Sequence, residues 1–156
     1  MNKRGVSPAI ATVLLVAIVI VIAMIVFLWF KSMSGEIITK FGGTNIELVC
    51  ERVEFNSQYV NGQLFIANSG NVPIFGMKVK IEKVGEDQTK DIRELSANWP
   101  DIGLSQGKTF SANIDGEVVE GAETIVLTPI LLGTSDKGEK AYMCDEAKQG
   151  YVLEVF

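Results

Sequence analysis

The chain has 156 residues, with 14 basic and 19 acidic side chains and no histidine. That length allows one globular domain plus an accessory segment. The missing histidine removes the commonest general base and metal ligand, and a net charge of −5 without any Lys/Arg cluster argues against binding a nucleic-acid backbone.

At the head of the chain, Lys3 and Arg4 precede an uncharged stretch from Val6 to Phe30, 25 residues long, whose only polar side chains are Ser7 and Thr12. As an α-helix it rises about 38 Å, against a bilayer hydrocarbon core of about 30 Å. It is apolar on every side, so it belongs in lipid or among other helices. A core of this size has no room to hide it. Lys3 and Arg4 outnumber Lys31 at the other flank, which favours an internal amino terminus and an external body. A cleavable secretory signal has a shorter apolar region that ends in small residues; this one ends in Leu28-Trp29-Phe30-Lys31. Ser7 suits an N-cap, and Pro8 suits the first helical position, where its missing N–H costs nothing.

The order of features in KRGVSPAIATVLLVAIVIV, a basic pair, a glycine, Ser-Pro and then the apolar run, resembles the class III signal peptides of type IV pilin-like proteins. The segment Val6 to Leu14 resembles the amino terminus of archaeal adhesion pilins in particular. The resemblance implies a prepilin peptidase that cuts before the apolar run, between Gly5 and Val6 or, as the alternative, one residue earlier, with Lys3, Arg4 and Gly5 as the recognised leader. It also implies that the retained helix leaves the membrane to pack among copies of itself. Bacterial type IV pilins usually carry a glutamate at the fifth mature position, which here is Ile10; the archaeal group commonly lacks it. Archaellins usually carry a glycine-containing segment after the cut and lack the Ser-Pro. The resemblance covers residues 3–30.

Beyond Phe30 the apolar positions Met33, Ile37, Ile38 and Phe41 continue one helical face, with Gly42-Gly43 as the stop. One helix is therefore expected from Ser7 to about Phe41. Lys31 onward carries 12 basic and 19 acidic residues, a charge of −7.

From Thr44 the pattern changes to that of strands. Ile46, Leu48 and Cys50 alternate with polar residues, and a bulge near Glu51-Arg52 is expected where the phase slips. Asn61-Gly62 signals a two-residue hairpin. Asn68 to Asn71 reads as a loop. Phe75, Met77, Val79 and Ile81 alternate with polar neighbours, one face inward and one in water, before a turn at Gly85-Glu86-Asp87. The segment Asp91 to Leu104 is ambiguous, with Trp99-Pro100 breaking any regular element. Phe110, Ala112 and Ile114 alternate, and Asp115-Gly116 turns. Ile125 and Leu127 follow, with Pro129 expected to confine that strand to an edge or an end. Asp136 to Gly138 turns, and Tyr151, Leu153 and Val155 form the last strand. About seven short strands with Gly and Asn turns predict a β-sandwich. The segment Asn68 to Ile74 resembles a turn of immunoglobulin-like repeats in archaeal surface proteins.

The two cysteines, Cys50 and Cys144, fall on the same side of a membrane. In an extracytoplasmic setting a disulfide is the natural reading, worth roughly 4–5 kcal/mol for a loop of this size; two unrelated buried thiols are the other. No phosphate-binding glycine loop, EF-hand pattern or glycosylation sequon occurs. Asp145 and Glu146 could touch a cation, although two acids in a loop are usually just solvated. Lys78 and Lys80 read as a solvated strand face.

The expected fold class is α+β: a leader over residues 1–5, a long hydrophobic helix over 6–43, and an immunoglobulin-like β-sandwich head over 44–156. The expected function is a non-enzymatic filament subunit, without cofactor or metal, inserted in the membrane as a precursor and extracellular once assembled. Its partners would be other copies of itself, the prepilin peptidase and the pilus assembly machinery. The alternative is a single-pass anchored extracytoplasmic binding domain, such as an accessory of an archaeal envelope or archaellum machine. A membrane-anchored enzyme is the third class, and it lacks a motif.

Overall fold

The computed structural model describes residues 8–33, 38–114 and 116–155. Two units divide the chain, Met1–Ile37 and Ile38–Phe156. The first contains α1 (Pro8–Met33). Its sequence is rich in Val and Ile, which on propensity alone suit strands. In apolar surroundings propensity gives way to hydrogen bonding, because a single helix satisfies all its own interior backbone groups.

The second unit is built of antiparallel sheets, so the chain is α+β. In order it holds β1 (Thr39–Lys40), β2 (Thr44–Asn45), α2 (Ile46–Cys50), β3 (Phe55–Val60), β4 (Gln63–Asn68), β5 (Gly76–Lys83) and β6 (Glu86–Asp91). Then come α3 (Ile92–Leu95), β7 (Thr109–Asn113), α4 (Gly116–Val119), β8 (Ala122–Ser135), β9 (Gly138–Met143), α5 (Glu146–Gln149) and β10 (Tyr151–Glu154). One sheet runs β2-β1-β8-β5-β6, with β9 and β10 also on β8; the other runs β3-β4-β7. Leu64, Ile66, Phe110 and Ala112 of the smaller sheet share one core with Met77, Val79, Ile81, Ile125, Leu127 and Leu153 of the larger. Trp99 closes that core, with its ring edge-on to Phe110 at 4.9 Å and its Nε1 donating to the Phe75 carbonyl at 2.9 Å.

Strand β8 is the spine of the larger sheet. Its first half pairs with β5 on one edge and with β10 on the other; its second half pairs with β9, and Thr134 meets Thr39 of β1. This corrects the expectation that Pro129 confines the strand to an edge or an end. The Pro129 carbonyl accepts from Cys144 N at 3.0 Å. Nitrogen and oxygen of one strand residue face the same edge, so the donorless nitrogen faces the gap where β10 has ended at Leu127 and β9 begins at Ile130. The β5 edge loses nothing, because Phe75 N donates there to Ile130 O at 2.9 Å.

Three other expectations are corrected. Residues 39–40 are strand rather than helix, so the helix does not reach Phe41 and the expected boundaries of 6–43 and 44–156 shift toward the amino terminus. The physical reason is that Ile38 is buried in a second cluster with Ile46, Val49, Val72 and Leu131; residues 34–37 lie outside the described residues. Ile46 to Cys50 is a helical turn rather than a strand, because the Asn45 side chain caps it by accepting from Glu47 N at 2.9 Å. Ile46, Val49 and Cys50 then take the buried side, and Glu51-Arg52 is the turn that follows, not a bulge. The turn expected at Gly85-Glu86-Asp87 sits earlier, with Glu86 already paired to Lys83. Asp115 lies outside the described residues.

Other local signals match the structure. Asn61 and Gly62 have φ of 51° and 78°, the pair of positive values that a tight hairpin between Val60 and Gln63 requires. Asn68 ends β4 as a buried post: its amide donates to the carbonyls of Val72 at 2.9 Å and Leu104 at 2.8 Å and accepts from Gly70 N at 3.1 Å.

Gly133 lets β1 lie against β8. A Cβ there would stand 2.5 Å from Ile38 Cγ2 and 2.7 Å from Ile46 Cδ1. We expect Gly133→Ala to destabilise this unit by about 1–3 kcal/mol through overpacking, as read from chemical unfolding of the full chain in detergent micelles. A stability equal to wild type would show that the contact is not tight.

Candidate functional site

The most unusual surface in the molecule is that of α1. From Pro8 to Phe30, 23 residues, the helix is long and apolar enough to cross a membrane, and none of it is buried. At 1.5 Å per residue this segment is about 35 Å long. Its apolar side chains point outward on all sides; Leu15, Met24, Phe27, Trp29 and Phe30 are each more than 60% exposed. The one hydroxyl within it is already satisfied, since Thr12 Oγ1 donates to the Ala9 carbonyl at 2.9 Å, a local bond that a helix in an apolar medium tolerates. From Pro8 to Phe30 the helix thus offers mainly apolar contact. It can enter lipid as an anchor or a signal sequence, or pack against other apolar helices.

Of the residues singled out for processing, Lys3, Arg4, Gly5, Val6 and Ser7 lie outside the described residues. Pro8 is the first residue of α1.

Cys50 and Cys144 form a disulfide with their Cα atoms 5.7 Å apart, closing 94 residues of sequence. α2 supplies Cys50, and β9 delivers Cys144 to it. Both are buried, in the cluster that also holds Ile38, the first residue of the second unit. The disulfide therefore braces the place where the chain enters the β-rich unit. Beside it the Tyr142 hydroxyl donates to Glu47 Oε1 at 3.2 Å. Burial, and then that carboxylate, push the tyrosine pKa up.

The solvent-facing side of β5 is more organised than its sequence suggested. Lys80 Nζ lies 2.7 Å from Glu82, 3.6 Å from Asp87 and 3.5 Å from Glu146; Lys78 pairs with Asp91 at 3.6 Å. The hydrogen bond to Glu82, reinforced by the charges of Glu146, Glu82 and Asp87, holds the lysine well above its ordinary range. Glu82 is held below the usual carboxylate range by Lys80 and by the Thr124 hydroxyl, which donates to it at 2.6 Å. Glu146 reaches this network from α5, whose N-cap is Asp145. Among the described residues no group of acids, cysteines and histidines is placed to hold a metal. Sequence spacing hinted at the pair Lys78 and Lys80; the partners from β6 and α5 arrive only through the fold.

Compared with known proteins, the chain matches no family model, no curated protein and no solved structure.

Two tests follow from this geometry. Removing the disulfide by Cys50→Ser with Cys144→Ser should cost about 2–5 kcal/mol, measured as a shift in the denaturant midpoint of the full chain in micelles; no shift would mean that the crosslink constrains nothing. Glu82 has a depressed pKa, so its stabilisation is present above its ordinary value of 4.5 and is lost as pH falls through the lower, folded value. Between pH 5 and about pH 2 the thermal midpoint should therefore fall less steeply in Glu82→Gln than in the unsubstituted chain, with equal slopes near neutrality.

Proposed function

We propose that this chain is a structural subunit of an archaeal type IV pilus-like surface filament. The observation that carries the reading is a 23-residue apolar helix with none of its surface buried, which begins at Pro8 and is directly preceded by the leader-like Lys3-Arg4-Gly5 and then Val6-Ser7. In the precursor the helix lies in the membrane with Lys3 and Arg4 on the cytoplasmic side. A prepilin peptidase cuts between Gly5 and Val6, which removes the two charges that hold the end at that face. Copies then bury their helices against one another, and repeated non-closing contacts extend a fibre.

The second unit is the head that faces outward. We read it as an immunoglobulin-like β-sandwich; the support is two antiparallel sheets that share one apolar core, as sandwiches do. The Cys50–Cys144 disulfide suits an extracytoplasmic setting. The head serves adhesion or surface contact, and the chain carries no catalytic role. A second reading, a single-pass anchored binding domain, draws on the length of α1, which also matches a bilayer.

Mass spectrometry of sheared, purified surface fibres separates the two readings. A subunit beginning at Val6 is expected in the fibres, and Gly5→Val should leave uncut precursor in membranes with no fibres. An intact leader on chains found only in the membrane fraction would overturn the filament reading in favour of the anchored domain.

A further inference from the structure

The topology gives the β-rich unit two poles. At one, β1 enters against Thr134. At the other, β8 starts, and Val155 N donates to Glu123 O at 3.1 Å. The eleven steps of β8 from Glu123 to Thr134 separate the poles by roughly 36 Å. The pole away from the chain entry gathers the β3–β4 hairpin, α4 and the end of β10, and between them lies an open cleft of about 630 Å³. Small-molecule sites occupy roughly 300–1,000 Å³.

The lining of this cleft is chemically selective. Val60, Val119 and Val155 supply apolar surface, and Tyr59, Asn61 and Glu120 supply polar groups. Among the described residues, the Tyr59 hydroxyl, the Asn61 amide and the Glu120 carboxylate make no hydrogen bond or ion pair. Between them they offer a phenol and an amide that both donate and accept, and an anion that only accepts. Among the described residues no lysine or arginine lines the cleft, so none of them would neutralise an anionic ligand there. The backbone that presents Asn61 is fixed: its φ of 51° belongs to the hairpin turn, and Ile114 N clamps the turn by donating to Gly62 O at 3.0 Å.

We infer that this polar cleft binds a neutral saccharide. A sugar ring has an apolar C–H face that suits the Tyr59 ring and the valines. Its hydroxyls donate and accept at once, which is what the amide, phenol and carboxylate together require. An open cleft suits a short oligosaccharide that runs past the protein, whereas a fully enclosed ligand would need deeper walls. The inference deepens the reading of the head as the outward, contact-making part of the chain: the cleft is the contact site, at the pole remote from the entry strand.

The test uses the full chain in lipid nanodiscs and saturation-transfer NMR. The probes are lactose, cellobiose and N,N′-diacetylchitobiose, with sialyllactose as the anionic control and a diamine as the cationic one. Binding of at least one neutral disaccharide is expected, without binding of the anionic or cationic probes. Asn61→Gly keeps the positive φ while deleting the amide, and Glu120→Gln keeps the shape while deleting the charge. Each should weaken binding roughly five- to tenfold, as loss of a ligand hydrogen bond does. Ile102→Ser, at a fully exposed residue outside the cleft, should leave binding unchanged. Overturning results are no saccharide binding by the folded chain, a preference for either charged probe, or binding that Asn61→Gly and Glu120→Gln leave intact. Single chains are measured, so failure here leaves fibre formation untouched, and absence of fibres leaves the cleft untouched.

Discussion

The β-rich unit depends on one continuous backbone ladder. Strand β8 is 14 residues long, well beyond the usual five or six, and it is paired on one edge or on both along nearly its whole length. It can be that long because its neighbours change partway, with β10 giving way to β9 on one edge and β5 to β1 on the other. Pro129 sits at the first of these changes, where a missing donor costs no ladder bond. Gly133 sits near the second, where a side chain would collide with the entering segment. The two residues that look least suited to a central strand thus mark where its partners are exchanged.

α1 poses a different constraint. Burying a single Val, Leu, Ile or Phe side chain yields about 1.5–3 kcal/mol, and α1 exposes such residues from Ile10 to Phe30. The sum is on the order of tens of kcal/mol, above the roughly 5–15 kcal/mol that stabilise a folded domain. What the helix is surrounded by therefore outweighs any detail of the β-rich unit in deciding where the chain resides. Under the proposed function, removal of Lys3 and Arg4 would be a small covalent change with leverage over that large term. This is why the leader matters to the proposed function more than the head does.

The surface of the β-rich unit follows a third logic. Lys80 is the cation shared by Glu82, Asp87 and Glu146, so part of the net negative charge of this unit is tied into one network around β5, β6 and α5. Exposed ion pairs contribute little singly; this one links three elements, β5, β6 and α5. The disulfide performs the equivalent service at the entry pole, where the elements are too short to hold by pairing alone.

Local chemistry was written plainly in the sequence. The apolar run from Val13 to Phe30, the Asn61-Gly62 turn and the alternation from Met77 to Ile81 each depend on neighbours within a few residues, so their period and turn residues were enough. The segments that were misjudged are those in which local signals compete. Ile46 to Cys50 fits both a two-residue and a helical period, and the Asn45 cap decided for the helix. Ile38 continued the helical face of α1 on paper, yet burial beside Leu131 and Val72 drew it into the β-rich unit. Pro129 is forbidden in a central strand only if its nitrogen meets a partner, and that depends on where β10 ends and β9 begins. The cleft of Tyr59, Asn61 and Glu120 joins residues some sixty positions apart, and no spacing rule could have found it. The sequence by itself determined which stretches are helix-like, strand-like or turning, because those preferences are short-range, and with two cysteines it already offered Cys50 and Cys144 as a pair; the Lys80 network and the cleft were decided only by tertiary structure, because each needs groups that meet solely when β8 has gathered its neighbours.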